Sequence, residues 1–212
     1  MNIIISAYKA APFIEQCLVS IQKQTSPVKK ILVGIDGCQE TLNSITEIMW
    51  RFPNLEVYSS NVNQGPYLMR NALIKMLGIQ ENFLIFDADD IMNQNMIELV
   101  EKRDRPSLMK YDGILSCSVK PFLEIGGYKP WRCGADTDIK YRLEKYLKIE
   151  TLPRYRDKLF YRREHPNQLT KNPETNMSSP LRREYVNQIK KDLQEGIIII
   201  PFTSAQIKRI NR

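Results

Sequence analysis

Short apolar runs alternate with amphipathic segments over the first part of the chain, and this alternation restricts the possible folds more than any other feature. Short continuous apolar runs indicate buried strands, whereas apolar spacings of three and four indicate helices. The predicted strands are Met1 to Ser6, Lys30 to Asp36, Leu55 to Ser59 and Phe83 to Phe86, and helical patterns begin at Pro12, span Leu42 to Met49 and span Pro66 to Leu77. Strands that alternate with helices form βαβ units. We therefore predict an α/β fold with a mainly parallel, twisted sheet and helices on both faces.

The second half of the chain is less regular. Residues 112–128 predict one or two short strands and a turn at Gly126 and Gly127. Helical patterns span Asp136 to Leu147 and Leu181 to Leu193. Residues 166–180 are rich in Pro, Asn, Ser and Thr, which predicts a mobile loop.

Length and composition exclude several classes of protein. At 212 residues and 42% apolar content, the chain can bury a core, so wholesale disorder is not expected. No apolar run reaches the ~18 residues that a membrane span needs, and no signal peptide is visible. The four cysteines are widely spaced without a CxxC pair, which favours reduced thiols in a cytoplasmic protein over a zinc site.

Charge is unevenly distributed along the chain. Residues 1–139 hold 14 basic and 16 acidic residues, whereas residues 140–212 hold 17 and 8. A basic C-terminal third could attract phosphates, nucleic acid or an anionic surface, and a solvated helical face is the plain alternative.

Polar side chains end three of the predicted strands, namely Ser6, Asp36 and Asp87. Ligands of parallel α/β sheets bind at the carboxyl ends of the strands. Asp87 begins a run with Asp89 and Asp90, and carboxylates packed this closely repel one another unless a cation intervenes. Mg²⁺ is commonly held by one or two carboxylates together with substrate phosphates. The alternative is a solvated turn in which Asp89 or Asp90 caps the next helix.

Six short elements resemble, in order, the motifs of the inverting glycosyltransferase family 2, whose catalytic domains have the GT-A fold. They are IIISAYK at 3–9, VGIDG at 33–37, NQG at 63–65 followed by RN at 70–71, FDADD at 86–90, GGY at 126–128 followed by ADTDI and RL at 135–143, and YRREH at 161–165. The resemblance implies one GT-A, Rossmann-like catalytic domain over residues 1–212. Its nucleotide-binding half would cover about residues 1–90 and its acceptor half about residues 91–212.

The chain departs from the family pattern at four positions. Ser6 and Lys9 replace the usual Pro and Asn, and Ile35 replaces the first Asp of a pair. Ala135 stands where the family usually has Glu, directly before Asp136. The last change puts the acceptor site in doubt, because a carboxylate is missing beside the expected base.

The resemblance implies a nucleotide-sugar donor, expected to be a UDP-sugar. Tyr8 would contact the base ring, and Asp36 would accept a hydrogen bond from it. Gly65 would let the backbone approach the nucleotide, and Arg70 would meet the charge of the donor. Ordinary packing of Tyr8 and a helix-surface position of Arg70 are the alternatives. The other expected donor contacts are Ser6, Ala7, Asp87, Ala88, Trp131 and Arg162.

The resemblance also implies a metal site and a general base. Asp89, Asp87 and His165, the one histidine of the chain, would bind Mn²⁺ or Mg²⁺, which would neutralise charge on the leaving diphosphate. Asp136 would take the proton of an acceptor hydroxyl, and Asp138 is the second candidate for this role. Attack from the face opposite the leaving group would invert the anomeric carbon.

The expected partners are a nucleotide-sugar donor and a glycan or glycoprotein acceptor, with no nucleic acid and no membrane span. Size and motif order also resemble the N-terminal glycosyltransferase domains of chlorovirus proteins that glycosylate a capsid, which implies a viral protein. The expected location is cytoplasmic, in the host cytoplasm if the protein is viral.

Three other functions stay open at this point. A nucleotidyltransferase shares the sheet and the metal carboxylates, but residues 6–11 lack its Gly-rich basic signature. A nucleic-acid-binding module would use the basic C-terminal third, which has no RNP-type aromatic pattern. A non-catalytic sugar-nucleotide binder is compatible with Ala135.

Overall fold

The computed structural model describes residues 1–102, 108–109, 114–148, 159–166 and 168–211. The strands are β1 (Asn2–Ala7), β2 (Lys30–Asp36), β3 (Leu55–Ser60), β4 (Asn82–Ile85), β5 (Ile91–Met92), β6 (Leu108–Met109), β7 (Ile114–Ser118), β8 (Phe160–Tyr161) and β9 (Lys208–Ile210). The helices are α1 (Ile14–Gln22), α2 (Gln39–Ile48), α3 (Pro66–Lys75), α4 (Met96–Glu101), α5 (Val119–Glu124), α6 (Ala135–Tyr146) and α7 (Pro180–Gln194), and a 3₁₀ turn spans Met49–Arg51.

Seven strands form one mixed sheet in the order β6-β7-β4-β1-β2-β3-β9. The four central strands are parallel, with Asn2 opposite both Lys30 of β2 and Phe83 of β4. β7 and β9 pair antiparallel with β4 and β3. A separate two-stranded ladder joins β5 and β8. The predicted α/β fold with a mainly parallel sheet is confirmed.

Helices cover both faces of the sheet because successive apolar side chains along the buried strands point to opposite faces. Ile3 and Ile5 of β1 face the apolar cluster that contains α1, α2 and α4, whereas Ile4 faces the cluster that contains α3, α5 and α6. Gly34 lets α3 lie close to the sheet, since a Cβ there would be 2.3 Å from the Met69 sulfur.

Residues 112–128 contain β7, which confirms the first of the one or two predicted strands. The following residues form the short helix α5, which the pattern did not predict. Pro121 lies in the first turn of α5, where its missing N–H leaves no hydrogen bond unmade. Residues 112 and 113 lie outside the described residues.

The C-terminal residues return to the body of the protein after α7. The Ile200 amide donates to the Ile125 carbonyl over 3.2 Å, and the Ala205 amide donates to the Leu68 carbonyl over 3.0 Å. Gly126 is required beneath this tail, because its φ is +85° and a Cβ there would lie 1.9 Å from the Ile200 carbonyl oxygen. The tail then forms β9, so the last described residues complete one edge of the sheet.

Among the helices in the described ranges, none combines the length and apolar character that crossing a bilayer requires.

Candidate functional site

The carboxyl ends of β1, β2 and β4 meet at one edge of the sheet. Ser6 lies opposite Gly34 in the parallel register, one residue before the end of β1. The Phe86 amide donates to the Ile4 carbonyl over 2.9 Å, so the chain leaves β4 beside the end of β1. The fold therefore brings the polar strand ends together, as the sequence predicts.

Asp36 shapes the turn that precedes α3. Its carboxylate accepts hydrogen bonds from the amides of Gln64 and Gly65, over 2.7 and 2.9 Å. Burial raises the pKa of Asp36, and the two amide donors partly offset this shift. Gly65 has a φ of +92°, a conformation that favours glycine. Both oxygens of Asp36 thus bind protein amides, and each retains a second lone pair for a ligand.

Arg70 of α3 joins β1 to the acidic run after β4. Its guanidinium is buried and donates to the Ser6 hydroxyl over 3.2 Å and to the Asp87 carboxylate over 2.6 Å. Burial raises the pKa of Asp87, which Arg70 lowers and Asp89 raises further. The serine that replaces the proline of the family pattern therefore supplies a hydrogen-bond acceptor to Arg70.

Asp87, Asp89 and Asp90 form a cluster in which one oxygen from each carboxylate lies within 4.8 Å of the others. Asp90 is almost fully buried and accepts a hydrogen bond from the Arg163 amide over 3.1 Å. Burial raises the pKa of Asp90 to about 7, and Asp87 and Asp89 add to this effect. Three like charges in this space favour a bound cation.

His165 approaches the acidic cluster from a distant part of the chain. Its Nε2 atom lies 2.7 Å from an oxygen of Asp89, and its ring packs against Phe13 at 4.6 Å between centroids. Its Nδ1 atom is buried and has no hydrogen-bond partner among the described residues. Carboxylate and imidazole groups together suit Mn²⁺, and the carboxylates alone suit Mg²⁺. The residues present therefore fit a divalent cation.

Asp136 lies in the first turn of α6, where the helix dipole favours a negative charge. One of its oxygens accepts a hydrogen bond from the Tyr67 hydroxyl over 2.9 Å. Burial raises the pKa of Tyr67 well above its usual value, and Asp136 raises it further, so the hydroxyl stays protonated and donates. The Arg70 guanidinium carbon lies 5.6 Å from the Tyr67 ring centroid. Tyr67 thereby links Asp136 to the strand-end residues.

Asp138 is directed into the protein interior. Its two oxygens form ion pairs of 2.7 Å with Lys129 and with Arg142, and all three side chains are buried. A carboxylate held in this way is not available to an acceptor hydroxyl. The geometry gives Asp138 a structural role and leaves Asp136 as the candidate base.

The other predicted donor contacts are distributed around the site. Tyr8 is 49% exposed at the end of β1, and Ala7 and Ala88 are buried. Arg162 is exposed and lies close enough to lower the pKa of Asp90. The Trp131 ring stacks on Tyr185 of α7, with centroids 4.5 Å apart and planes 5° apart. These contacts do not test a role in donor binding, which stays a prediction.

Known structures share this architecture. TarS 1-349 of S. aureus in complex with UDP superposes with a TM-score of 0.61 at 17% identity, covering 89% of this chain and 68% of that one. The mannosyltransferase PcManGT of Pyrobaculum calidifontis, in complex with GDP-Man and Mn²⁺, gives 0.63 at 14% identity, covering 91% and 69%. The chain spans 39% of the longer S. aureus TarS structure, at a TM-score of 0.63 and 16% identity over 91% of this chain. At these identities the similarity shows the fold.

A comparison with curated proteins finds no significant match to the sequence. The family model described as glycosyl transferase family 2 matches residues 2–164, about three quarters of the chain. This range includes the strand ends, the acidic cluster and Asp136. The chain therefore belongs to glycosyl transferase family 2.

Proposed function

We propose that this protein is a metal-dependent, inverting glycosyltransferase that moves a sugar from a UDP-sugar to a hydroxyl group of a glycan or glycoprotein. The observation that carries this proposal is the chain of contacts from Asp87 through Arg70 and Tyr67 to Asp136. It connects a candidate cation site to a candidate base across one edge of the sheet.

The cation would be held by Asp87 and Asp89, with His165 as a third ligand. In support, the carboxylates of Asp87 and Asp89 already lie together, and the Nε2 atom of His165 lies 2.7 Å from an oxygen of Asp89. A bound Mn²⁺ or Mg²⁺ would supply positive charge to the leaving diphosphate. PcManGT is known in complex with Mn²⁺, which supports that ion.

The donor would lie across the ends of β1 and β2. Gly65 lies in the turn that Asp36 fixes and has no side chain, so a nucleotide can approach the backbone there. The Tyr8 side chain is exposed at the end of β1. Structures of TarS with UDP and with UDP-GlcNAc support a uridine nucleotide, and GDP-Man in PcManGT is the competing donor class. Arg70 would stabilise developing negative charge, since a buried guanidinium is a strong phosphate partner.

Asp136 would act as the general base. Tyr67 occupies one of its oxygens, which leaves the other to accept the proton of the acceptor hydroxyl. The acceptor oxygen would bond to the anomeric carbon as the bond to the diphosphate oxygen breaks on the opposite face. The proton ends on Asp136, the electron pair leaves with UDP, and the configuration at the anomeric carbon is inverted.

On this proposal the two halves of the chain have different functions. Residues 1–90 would bind the nucleotide, and residues 91–212 would contribute the base and the acceptor surface. The Asp136 environment favours catalysis over a role as a non-catalytic binder, and family membership disfavours a nucleotidyltransferase. The cytoplasmic location and the viral origin stay predictions.

The test is release of nucleoside diphosphate from a panel of UDP-sugars and GDP-sugars, with Mn²⁺ or with EDTA. We expect UDP release from at least one UDP-sugar, dependent on Mn²⁺ and lost in Asp89→Ala. Glu47→Gln, an exposed carboxylate on α2, is the matched control. Release from GDP-sugars alone would exclude the uridine donor, and no release from any donor would contradict the proposed activity.

A further inference from the structure

A buried lysine connects the C-terminal helix to the helix that carries Asp136. The Lys129 ammonium lies 2.7 Å from an oxygen of Asp138 in α6 and also contacts the carboxylate of Asp192 in α7. Lys129, Asp138 and Asp192 are 8%, 2% and 6% exposed. At this degree of burial, each charge depends on its partners for its stability.

Arg142 extends this connection to the residues before Lys129. It pairs with Asp138 over 2.7 Å and donates to the carbonyls of Ile125 and Gly127, over 2.8 and 2.5 Å. The segment 125–129 is thus held at one end by Arg142 and at the other by Lys129. This segment leads through residues 130–134 directly into the first turn of α6, where Asp136 lies.

α7 contacts the same segment a second time. Tyr185 stacks on Trp131, and the Lys129 ammonium lies 4.5 Å from the Trp131 ring centroid. The family model ends at residue 164, so α7 lies outside the part of the chain that it matches. α7 therefore adds to the family domain two contacts directed at residues 129–131.

The four charges balance within the described residues: Lys129 and Arg142 are positive, and Asp138 and Asp192 are negative. Neutralising Asp192 leaves one buried positive charge in excess, and breaking one partner of a buried pair is strongly unfavourable. Lys129 can relieve this excess by moving toward solvent, and residues 130–134 would move with it.

We infer that Asp192 is a positioning residue for the proposed glycosyl transfer. Acting through Lys129, it fixes the segment that leads into α6 and so fixes Asp136 relative to the donor. This inference rests on the proposed function, because it is the place of the proposed base that Asp192 would control.

The test compares Asp192→Asn with Glu195→Gln, an exposed carboxylate at the C-cap of α7, both in a Trp50→Phe background. Trp131 is then the one tryptophan in the chain, and its emission in the ligand-free protein reports the position of residues 129–131. We expect the emission to change in Asp192→Asn and to stay unchanged in Glu195→Gln.

The second readout is Mn²⁺-dependent UDP release, measured well below the melting temperature of each variant. We expect kcat to fall about ten- to hundredfold in Asp192→Asn, because a displacement of about 1 Å at a reacting group has effects of this size. The Kd of the donor should change less than kcat, since Trp131 is the one predicted donor contact in the segment that moves and the others are on other elements. A lower melting temperature with unchanged emission and kcat would overturn the inference, since Asp192 would then only stabilise the fold.

A milder variant keeps the test valid if Asp192→Asn does not fold. Gln188 donates to Asp192 over 2.6 Å from an exposed position on α7, so Gln188→Ala loosens Asp192 without removing its charge. We expect a smaller change in Trp131 emission and a smaller fall in kcat, and no change in either would overturn the inference. If the wild-type protein releases no UDP, the proposed function fails, whereas the emission comparison still decides whether α7 positions this segment.

Discussion

The proposed donor side and the proposed base side of the site are held in place by different forces. On the donor side, the neighbouring parallel strands β1 and β2 carry Ser6 and Asp36, and Asp87 follows β4, the other neighbour of β1, on the same apolar core. On the base side, buried charges and side-chain amides join distant residues, as in the contact of Lys129 with Asp192. Asn71 likewise donates to the carbonyls of Tyr128 and Thr203.

The two sides also differ in how their charges are balanced. Asp87, Asp89 and Asp90 are like charges with Arg70 as their buried cation, so the donor side favours a further cation. Around α6, acidic and basic side chains pair within the protein. We infer that the charges of the proposed donor side favour a further cation, whereas those around α6 pair with one another within the described residues.

Asp136→Asn should have the largest effect, because it should lower kcat without changing the binding of the donor. Removing a general base typically lowers the rate about 10²- to 10⁴-fold, and we expect a fall in kcat of this order. Binding of the donor, measured by titration calorimetry, should be unchanged, because Asp136 lies on α6 and its one described hydrogen-bond partner is Tyr67. A kcat within about tenfold of the wild-type value would place the base elsewhere.

Arg142→Met tests whether buried charge holds the base side together. Breaking a buried ion pair costs about 3–5 kcal/mol, and this change also removes a donor from two carbonyl groups, of which that of Ile125 keeps the Ile200 amide. Lys29→Met is the control, since Lys29 pairs with Glu81 at the surface, at the amino ends of β2 and β4, and exposed pairs contribute about 1 kcal/mol or less. Urea denaturation would measure the free energy of unfolding of both variants. Equal losses of stability in the two variants would contradict the comparison.

Asp90 should reduce the stability of the metal-free protein as the pH rises. Folding raises the pKa of Asp90 from 3.8 to about 7, so between these values the native state retains a proton that the unfolded state has released. The contribution of Asp90 to the free energy of unfolding is therefore fully present below pH 3.8 and is lost as the pH rises through about 7. One proton corresponds to at most about 1.4 kcal/mol per pH unit.

Urea denaturation in EDTA at several pH values would measure this slope. Asp90→Asn should flatten it, and Mn²⁺ should reduce the loss at the higher pH because a cation favours ionised carboxylates. If the stability of the metal-free protein rises over this pH interval, the proposed repulsion among the carboxylates of Asp87, Asp89 and Asp90 is contradicted.

Tyr128→Phe should be a small stabilising change. The Tyr128 hydroxyl is buried without a hydrogen-bond partner among the described residues, and an unsatisfied buried polar group costs about 1–3 kcal/mol. Phe keeps the ring packing against Tyr67 and Phe122. We expect a gain of about 1 kcal/mol in the free energy of unfolding. A loss of that size would indicate an ordered water bound to the hydroxyl.

The donor side could be predicted from the sequence because its signals are local. Apolar runs mark β1 to β4, and the motif residues follow each strand directly, so the parallel sheet brings them together. The pairing of His165 with Asp89 came from the family resemblance, since nothing in the spacing of 76 residues indicates it.

The base side could be predicted only in part. The helix that carries Asp136 is visible in the pattern of apolar residues. The contacts of Tyr67 with Asp136 and of Asp192 with Lys129 could not be predicted, because they join residues 69 and 63 positions apart. Burial of Lys129 could not be predicted either, since lysine is usually exposed. The role of Asp138 became clear only from its two ion pairs.

The most direct test of the account is calorimetric titration of UDP, with and without Mn²⁺, on the wild-type protein, Asp89→Ala and the control Glu47→Gln. We expect binding that requires Mn²⁺, is abolished in Asp89→Ala and is retained in Glu47→Gln. Binding of UDP that is indifferent to both the metal and Asp89, or no binding with the metal present, would contradict it.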